Sequence, residues 1–254
     1  MLKVRLIPVL LLSGGRMVKP IRFGKDGVRD VGFPATTARI YDSQDADELI
    51  LLNIEKAKDG INFLIETLDD VSKNCFVPIT AGGGVRDMAT IKELLRHGAD
   101  KISINTYAIE NPAFIKKAAA KFGRQCVVVS IDFKEVKKGR YEVFVDRGRK
   151  ATGLELVEWA KKATELGAGE LLISSIDKEG TMKGYDLEAI KLVSKEVNVP
   201  VIANGGAGTR DDCVLAVKAG AAATAASSLF HFSDSNLTQV KSFIFNAGVP
   251  IRPI

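Results

Sequence analysis

Long hydrophobic runs are missing from this chain of 254 residues, and so are most of the residue types that build metal or disulfide chemistry. No stretch approaches the roughly 20 apolar residues that a membrane-spanning helix needs, which points to a soluble, cytoplasmic protein without membrane contact. Histidine is scarce, with only His97 and His231. The three cysteines, Cys75, Cys126 and Cys213, are odd in number, widely spaced and set in apolar stretches. They read as small core residues in a reducing compartment. With no Cys-x-x-Cys pair, neither a metal site nor a cofactor is expected. A strong excess of one charge is also lacking, since the net charge is +5 and the lysines are dispersed. Nucleic-acid surfaces gather basic residues on one face, so nucleic acid is not the expected partner. The most basic stretch, residues 134–150, alternates in polarity and turns at Gly139, as a hairpin that attracts phosphorylated small molecules would. Residues Leu6–Leu12 behind Lys3 and Arg5 have the outline of a signal peptide. That run is short, contains Pro8 and lacks a small-x-small cleavage site, so it is expected to be a buried first strand.

What the chain does have is repetition. Residues 77–106 contain VPITAGGGVRD and HGADKISINT, and residues 199–228 contain VPVIANGGAGTRD and AGAAATAASS, about 122 residues later. Gly83 and Gly84 recur as Gly205 and Gly206, and Gly98-Ala99 recurs as Gly220-Ala221. The opening run from Ile7 to Leu11 answers Val129–Asp132, with leucine where the second copy ends in a carboxylate. Duplication is the simplest account. It divides the chain into halves of about 1–122 and 123–254 within one domain, the usual arrangement for an α/β barrel of this length.

Apolar runs of strand length alternate with amphipathic stretches of helical length. Strands are expected near 4–12, 48–54, 77–81, 100–105, 126–133, 170–175, 200–204 and 223–228. Helices are expected over 34–45, 61–74, 87–97, 111–122, 153–167, 186–197, 209–219 and 234–247. Eight such units predict an α/β fold, a (β/α)8 TIM barrel with its active face at the C-terminal ends of the strands. Gly83 and Gly84 then follow the third strand, and Asn105 and Thr106 end the fourth. Their counterparts are Gly205, Gly206, Ser227 and Ser228. Glycines after a strand let backbone N–H groups approach an anion. Two matched copies predict two phosphates on opposite sides of the mouth, hence an elongated ligand phosphorylated at both ends. The segment from Gly180 to Asp186 is expected to be a loop closing over it.

The stretches VRDMATIKELLRHGADKISINT, GRQCVVVSID, ISSIDKEGTMKGYD, IANGGAG and SLFHF together resemble the cyclase subunit of imidazole glycerol phosphate synthase. The resemblance covers nearly the whole chain. It implies a glutaminase subunit of class I docked beneath the barrel. Ammonia would pass up the barrel to a bisphosphorylated ribulosyl nucleotide, which is converted to imidazole glycerol phosphate and an aminoimidazole carboxamide ribotide. It also implies two catalytic aspartates, at the ends of the first and fifth strands. The second is Asp132; the first falls on Leu11, which can neither donate nor accept a proton. Asn53 and Glu179 stand where the family has aspartate, whereas Lys19 matches the family's first-loop lysine, and Gly180 joins the ligand-binding set. Arg5, Glu48, Lys101 and Glu170 match the family's ring of charges that gates ammonia entry.

Because a placed acid or base is worth about 10²- to 10⁴-fold in rate, a retained binding site with altered chemistry is expected. The nearest resemblance is to cyclase-like paralogues associated with nucleotide-sugar amidation in surface-polysaccharide synthesis, where a separate sugar amidotransferase uses the ammonia. The alternatives are a genuine cyclase of histidine biosynthesis, in which Asp132 acts alone or Asp177, Glu179, Asp26 or Asp30 stands in for the missing carboxylate, and a non-catalytic sugar-bisphosphate-binding module. His97, Trp159 and His231 are expected to pack or cap.

Overall fold

The computed structural model describes residues 3–55 and 60–252. The first half runs β1 (Arg5–Ser13), β2 (Arg16–Pro20), β3 (Val28–Gly32), α1 (Pro34–Ser43), β4 (Leu49–Asn53), α2 (Gly60–Ser72), β5 (Ile79–Gly82), α3 (Met88–Arg96), β6 (Lys101–Ile104), α4 (Thr106–Glu110) and α5 (Ala113–Phe122). The second runs β7 (Val127–Lys137), β8 (Arg140–Val145), β9 (Lys150–Glu155), α6 (Leu156–Glu165), β10 (Glu170–Ser175), α7 (Leu187–Glu196), β11 (Val201–Asn204), α8 (Arg210–Lys218), β12 (Ala223–Ala226), α9 (Ser228–His231) and α10 (Leu237–Asn246). Parallel pairing in the order β1, β4, β5, β6, β7, β10, β11, β12 returns to β1, so the sheet closes into a barrel. Closure removes the exposed edges that an open sheet would have to protect. Among the described residues, no helix is long and apolar enough to cross a membrane.

Strand parity sorts the core into two layers. Ile7, Val9, Ile50, Val128, Leu172, Ile202, Ala223 and Ala225 fill the barrel interior. The alternate residues, such as Leu6, Leu10, Leu51, Val129 and Leu171, face the helices and join the larger outer core. Burial on both faces is why these strands read as continuous apolar runs rather than alternating ones.

The repeat is also visible in local chemistry. Asp87 caps α3 by accepting from the Thr90 N–H at 2.7 Å, and Thr209, at the matching position, caps α8 by accepting from the Asp212 N–H at 3.3 Å. Each half interrupts its first βα unit with an antiparallel hairpin, β2–β3 after β1 and β8–β9 after β7. The expected turn at Gly139 is present, in the left-handed region. The β2–β3 arm and the short helices α4 and α9 were not among the expected elements. The helix expected from 153 starts at Leu156, because Lys150–Glu155 pairs with β8 first. Glu155 then caps α6 by accepting from the N–H groups of Val157 and Glu158.

Candidate functional site

Asp132 ends the inward-facing set of β7 at the barrel mouth and is buried. Its Oδ2 accepts a hydrogen bond from Asn105 Nδ2 at 2.8 Å, so Asn105 positions the carboxylate rather than capping α4. Burial raises the Asp132 carboxyl from 3.8 to about 7; the Asn105 bond works against the rise, and the Glu179 charge adds to it. A carboxyl poised near neutrality can both take and give a proton, which suits general acid–base work.

The same shift makes a stability prediction. The folded state holds the Asp132 proton more tightly than the unfolded state, so its contribution declines as pH rises from about 4 to about 7 and is flat above. Asp132→Asn removes that penalty while keeping an acceptor for Asn105. The variant is expected to be more stable than the native protein at pH 8 by about 1–3 kcal/mol, and no more stable at pH 3.5. Thermal unfolding across that range checks it; a pH-independent difference would mean that the Asp132 carboxyl titrates normally.

Strand register identifies the residue opposite. Leu11 pairs with Leu52 on β4, and Asp132 pairs with Ser174 on β10. Leu52 and Ser174 are themselves matched by the repeat, so Leu11 occupies the twofold mate of Asp132. Leu11 is half-buried and packs with Leu52 on the inner apolar layer. That half of the mouth therefore offers hydrocarbon where the other offers a carboxyl. Asn53 is committed to its own loop, donating to the Gly60 carbonyl at 2.6 Å and accepting from the Glu55 N–H at 3.0 Å.

Among the four carboxylates named as substitutes, the structure separates Glu179 from the rest. Glu179 is buried and forms an ion pair with the buried Lys19. Asp177 is exposed, as are Asp26 and Asp30, and Asp30 is held by Arg16 at 2.5 Å. The Glu179 backbone carbonyl also accepts from the Arg22 N–H at 2.9 Å, which fastens the β2–β3 hairpin to the loop after β10. Gly180 fits under that contact, with Pro20 and Ile21 too close for a side chain there.

The two glycine turns share one construction. A Cβ on Gly83 would lie 2.0 Å from the Asn53 carbonyl oxygen, and one on Gly205 would lie 2.9 Å from that of Ser175. Both glycines have φ near +100°, at +105° and +91°, so each turn presents bare backbone to the mouth. Thr106 and Ser228 lie beside them at the ends of β6 and β12. The Ser228 Oγ is buried and has no hydrogen-bond partner among the described residues. A buried hydroxyl without a partner is costly unless a ligand supplies one. Gly83, Gly84, Asn105 and Thr106 thus gather on one side, and Gly180, Gly205, Gly206, Ser227 and Ser228 on the other.

At the opposite end of the barrel, Arg5, Glu48, Lys101 and Glu170 form a closed ring. Arg5 Nη1 lies 2.6 Å from Glu48 and 2.9 Å from Glu170, and Lys101 Nζ lies 3.0 Å from Glu48 and 3.1 Å from Glu170. Burial opposes the Arg5 charge, but Glu170 and Glu48 outweigh it and raise its pKa. Two cations and two anions cancel, which makes the ring tolerable inside a barrel. Above it, Thr80 is next to Lys101 in register and leaves its buried Oγ1 unpartnered among the described residues. His231 packs on α1 through Tyr41, its Nδ1 3.1 Å from the phenol oxygen; burial, then Lys19, lowers its pKa to about 4. His97 pairs with the Asp69 carboxylate at 2.8 Å instead of the helix-end carbonyls.

The sequence is similar to known proteins along its whole length. The sequence model of the family described as histidine biosynthesis protein matches residues 5–236. A protein of Hyphomonas neptunium named imidazole glycerol phosphate synthase subunit HisF is 45% identical over 255 residues, covering 100% of both chains. This barrel, with duplicated glycine turns at one end and a charged ring at the other, belongs to the histidine biosynthesis protein family and is of the cyclase-subunit type.

Proposed function

We propose that this chain is the synthase subunit of a glutaminase complex, taking up ammonia through the charged ring and using it at the barrel mouth in chemistry other than efficient imidazole formation. The acceptor we favour is a nucleotide sugar amidated in polysaccharide synthesis in the cytoplasm, with a separate sugar amidotransferase making the new bond. The observation that carries this reading is the contrast between the two ends: the ring is complete, while Leu11 stands at the mate of Asp132. The unpartnered Thr80 hydroxyl supports passage of a small polar molecule above the ring. The relative's name as a synthase subunit supports a partner subunit, and the family resemblance supplies its glutaminase class.

One observation favours the second reading, a working imidazole glycerol phosphate synthase of histidine biosynthesis. Glu179 is buried beside Lys19 and acts electrostatically on Asp132, which supports it over Asp177, Asp26 and Asp30 as a partner in acid–base work. A third role, a sugar-bisphosphate-binding module without a partner, leaves the ring unexplained except as a register device.

Ammonia transfer tests the first part. With a class I glutaminase bound, the ratio of glutamine-supported to ammonium-supported product is expected to fall about tenfold or more in Lys101→Ala, equivalent to about 1.4 kcal/mol at the entry step. Glu48 and Glu170 each keep Arg5 as a partner in that variant, so the barrel remains folded. An unchanged ratio would reduce the ring to a structural plug.

A further inference from the structure

The tip of the β8–β9 hairpin reaches across the barrel mouth. Around the barrel the strands run β4, β5, β6, β7, and the hairpin grows from β7. Its Asp146 N–H donates to Thr106 Oγ1 at 3.3 Å, just past β6. The next residue, Arg147, donates from Nη1 to the Ile54 carbonyl at 3.2 Å, just past β4. The Asp146 backbone and the Arg147 side chain thus reach the strands on either side of β5, whose end carries Gly83 and Gly84. Gly83 itself presses on the carbonyl of Asn53, the residue before Ile54, so the carbonyl that Arg147 holds is one residue along from the one that Gly83 faces.

The tip combines a left-handed turn, which a tight hairpin of the primed type requires, with a buried donor that the turn does not satisfy. Asp146 and Arg147 have φ of 50° and 58°, two consecutive side-chain-bearing residues in the left-handed region. Such conformations persist where the surroundings impose them, and they cluster at ligand clamps. The Arg147 Nε is buried without a hydrogen-bond partner among the described residues, although a guanidinium has five N–H groups to satisfy. The Ile54 bond accounts for Nη1 alone.

The other half repeats the device with unrelated residues. The β2–β3 hairpin grows from β1 and is fastened past β10 by the Arg22 N–H, so it crosses the ends of β12 and β11. Those ends carry Ser227, Ser228, Gly205 and Gly206. Its tip also holds two consecutive left-handed residues, Arg22 at φ 46° and Phe23 at φ 60°. Arg22 lines a cavity of about 340 Å³ shared with Lys19, Arg29, Gly180 and Lys183. Each half therefore carries a hairpin whose left-handed tip bears an arginine, although Arg22 also has Asp26 at 3.5 Å.

We propose that Arg147 is the cation of the phosphate site at Gly83 and Gly84, closing over a phosphate monoester through Nε and a neighbouring guanidinium N–H, with Arg22 as its counterpart across the mouth. The clamp presupposes the phosphorylated ligand of the functional proposal above. A guanidinium matches two phosphate oxygens at once, which a lysine cannot do. The site thereby selects a charged phosphate end over a neutral sugar hydroxyl.

The test titrates the native protein, Arg147→Lys and Arg147→Gln with inorganic phosphate and with the ribulosyl bisphosphate nucleotide, reading heat and 31P line width at several salt concentrations. Arg147→Gln is expected to bind both ligands about 10- to 100-fold more weakly, with a shallower salt dependence. Arg147→Lys should recover part of the loss, and ligand-free melting should stay within about 2 °C of native. Equal affinity of native and Arg147→Gln for both ligands overturns the clamp, as does a native protein that binds neither. Loss of phosphate binding in Arg147→Gln while the nucleotide fails to bind even the native protein supports the clamp and removes the nucleotide as the ligand.

Discussion

Native protein supplied with saturating ammonium and the ribulosyl bisphosphate nucleotide is expected to form imidazole glycerol phosphate at well below 1 per second, and Leu11→Asp to raise that rate about 10²-fold or more. Free ammonium bypasses the glutaminase, so the comparison isolates the barrel mouth. The expectation rests on register: Leu11 is to Leu52 as Asp132 is to Ser174. An aspartate at position 11 would face the ligand from the side opposite Asp132, giving one carboxyl on each face of the mouth. The apolar neighbours of Leu11 would raise its pKa by desolvation, which favours the protonated form that a general acid needs. Adding Asp132→Asn to Leu11→Asp should abolish the gain, because the two groups act on one reaction. A native rate of about 1 per second or faster would make Leu11 irrelevant and shift the acid–base role to Glu179.

Breaking the ion pair between Asp47 and Lys241 is expected to cost about 3–5 kcal/mol, the largest stability effect foreseen for a single change. Lys241, on α10, is 2% exposed and its Nζ lies 2.8 Å from Asp47 Oδ1. The other oxygen of Asp47 accepts from the Leu6 N–H at 2.8 Å, so one carboxylate ties the last helix to the first strand. Asp47→Ala leaves a buried ammonium without a counterion and a buried N–H without an acceptor. The midpoint of thermal unfolding should fall by about 10 °C, given some 2–4 °C per kcal/mol for a chain of this size. Lys241→Met together with Asp47→Asn should restore most of the loss, because an uncharged amide still accepts from Leu6 and no charge is stranded. The exposed Lys161–Glu196 pair is the control, and removing it should leave unfolding unchanged. A fall of under 2 °C for Asp47→Ala would mean that water reaches the site.

The eight βα units were legible because both layers of a closed parallel sheet are apolar, and the helices between them carry their own caps and periodicity. The charged ring was legible through the resemblance, and the parity of Arg5 along β1 placed it inside. The paired glycine turns could be read because a backbone that must approach a neighbouring carbonyl admits no side chain, and that requirement is written as glycine twice. The β2–β3 arm escaped notice because its strands are short and largely polar, so they lack the apolar run that marks the barrel strands.

Several decisions belonged to the tertiary structure. The repeat of 122 residues alone aligns Asp132 with Leu10; the resemblance named Leu11, and strand pairing gives the reason, one more residue between the first two barrel strands of the second half. Exposure separated Glu179 from Asp177, two residues apart in one loop. The reach of Arg147 to the Ile54 carbonyl past a different strand, and the pairing of Asp47 with Lys241 across 194 positions, leave no local trace. Composition and periodicity are properties of neighbouring residues and specify which elements form and which faces they bury. Register, the crossing of hairpins and the meeting of distant charges depend on how those elements close around one barrel, and closure alone brings them together.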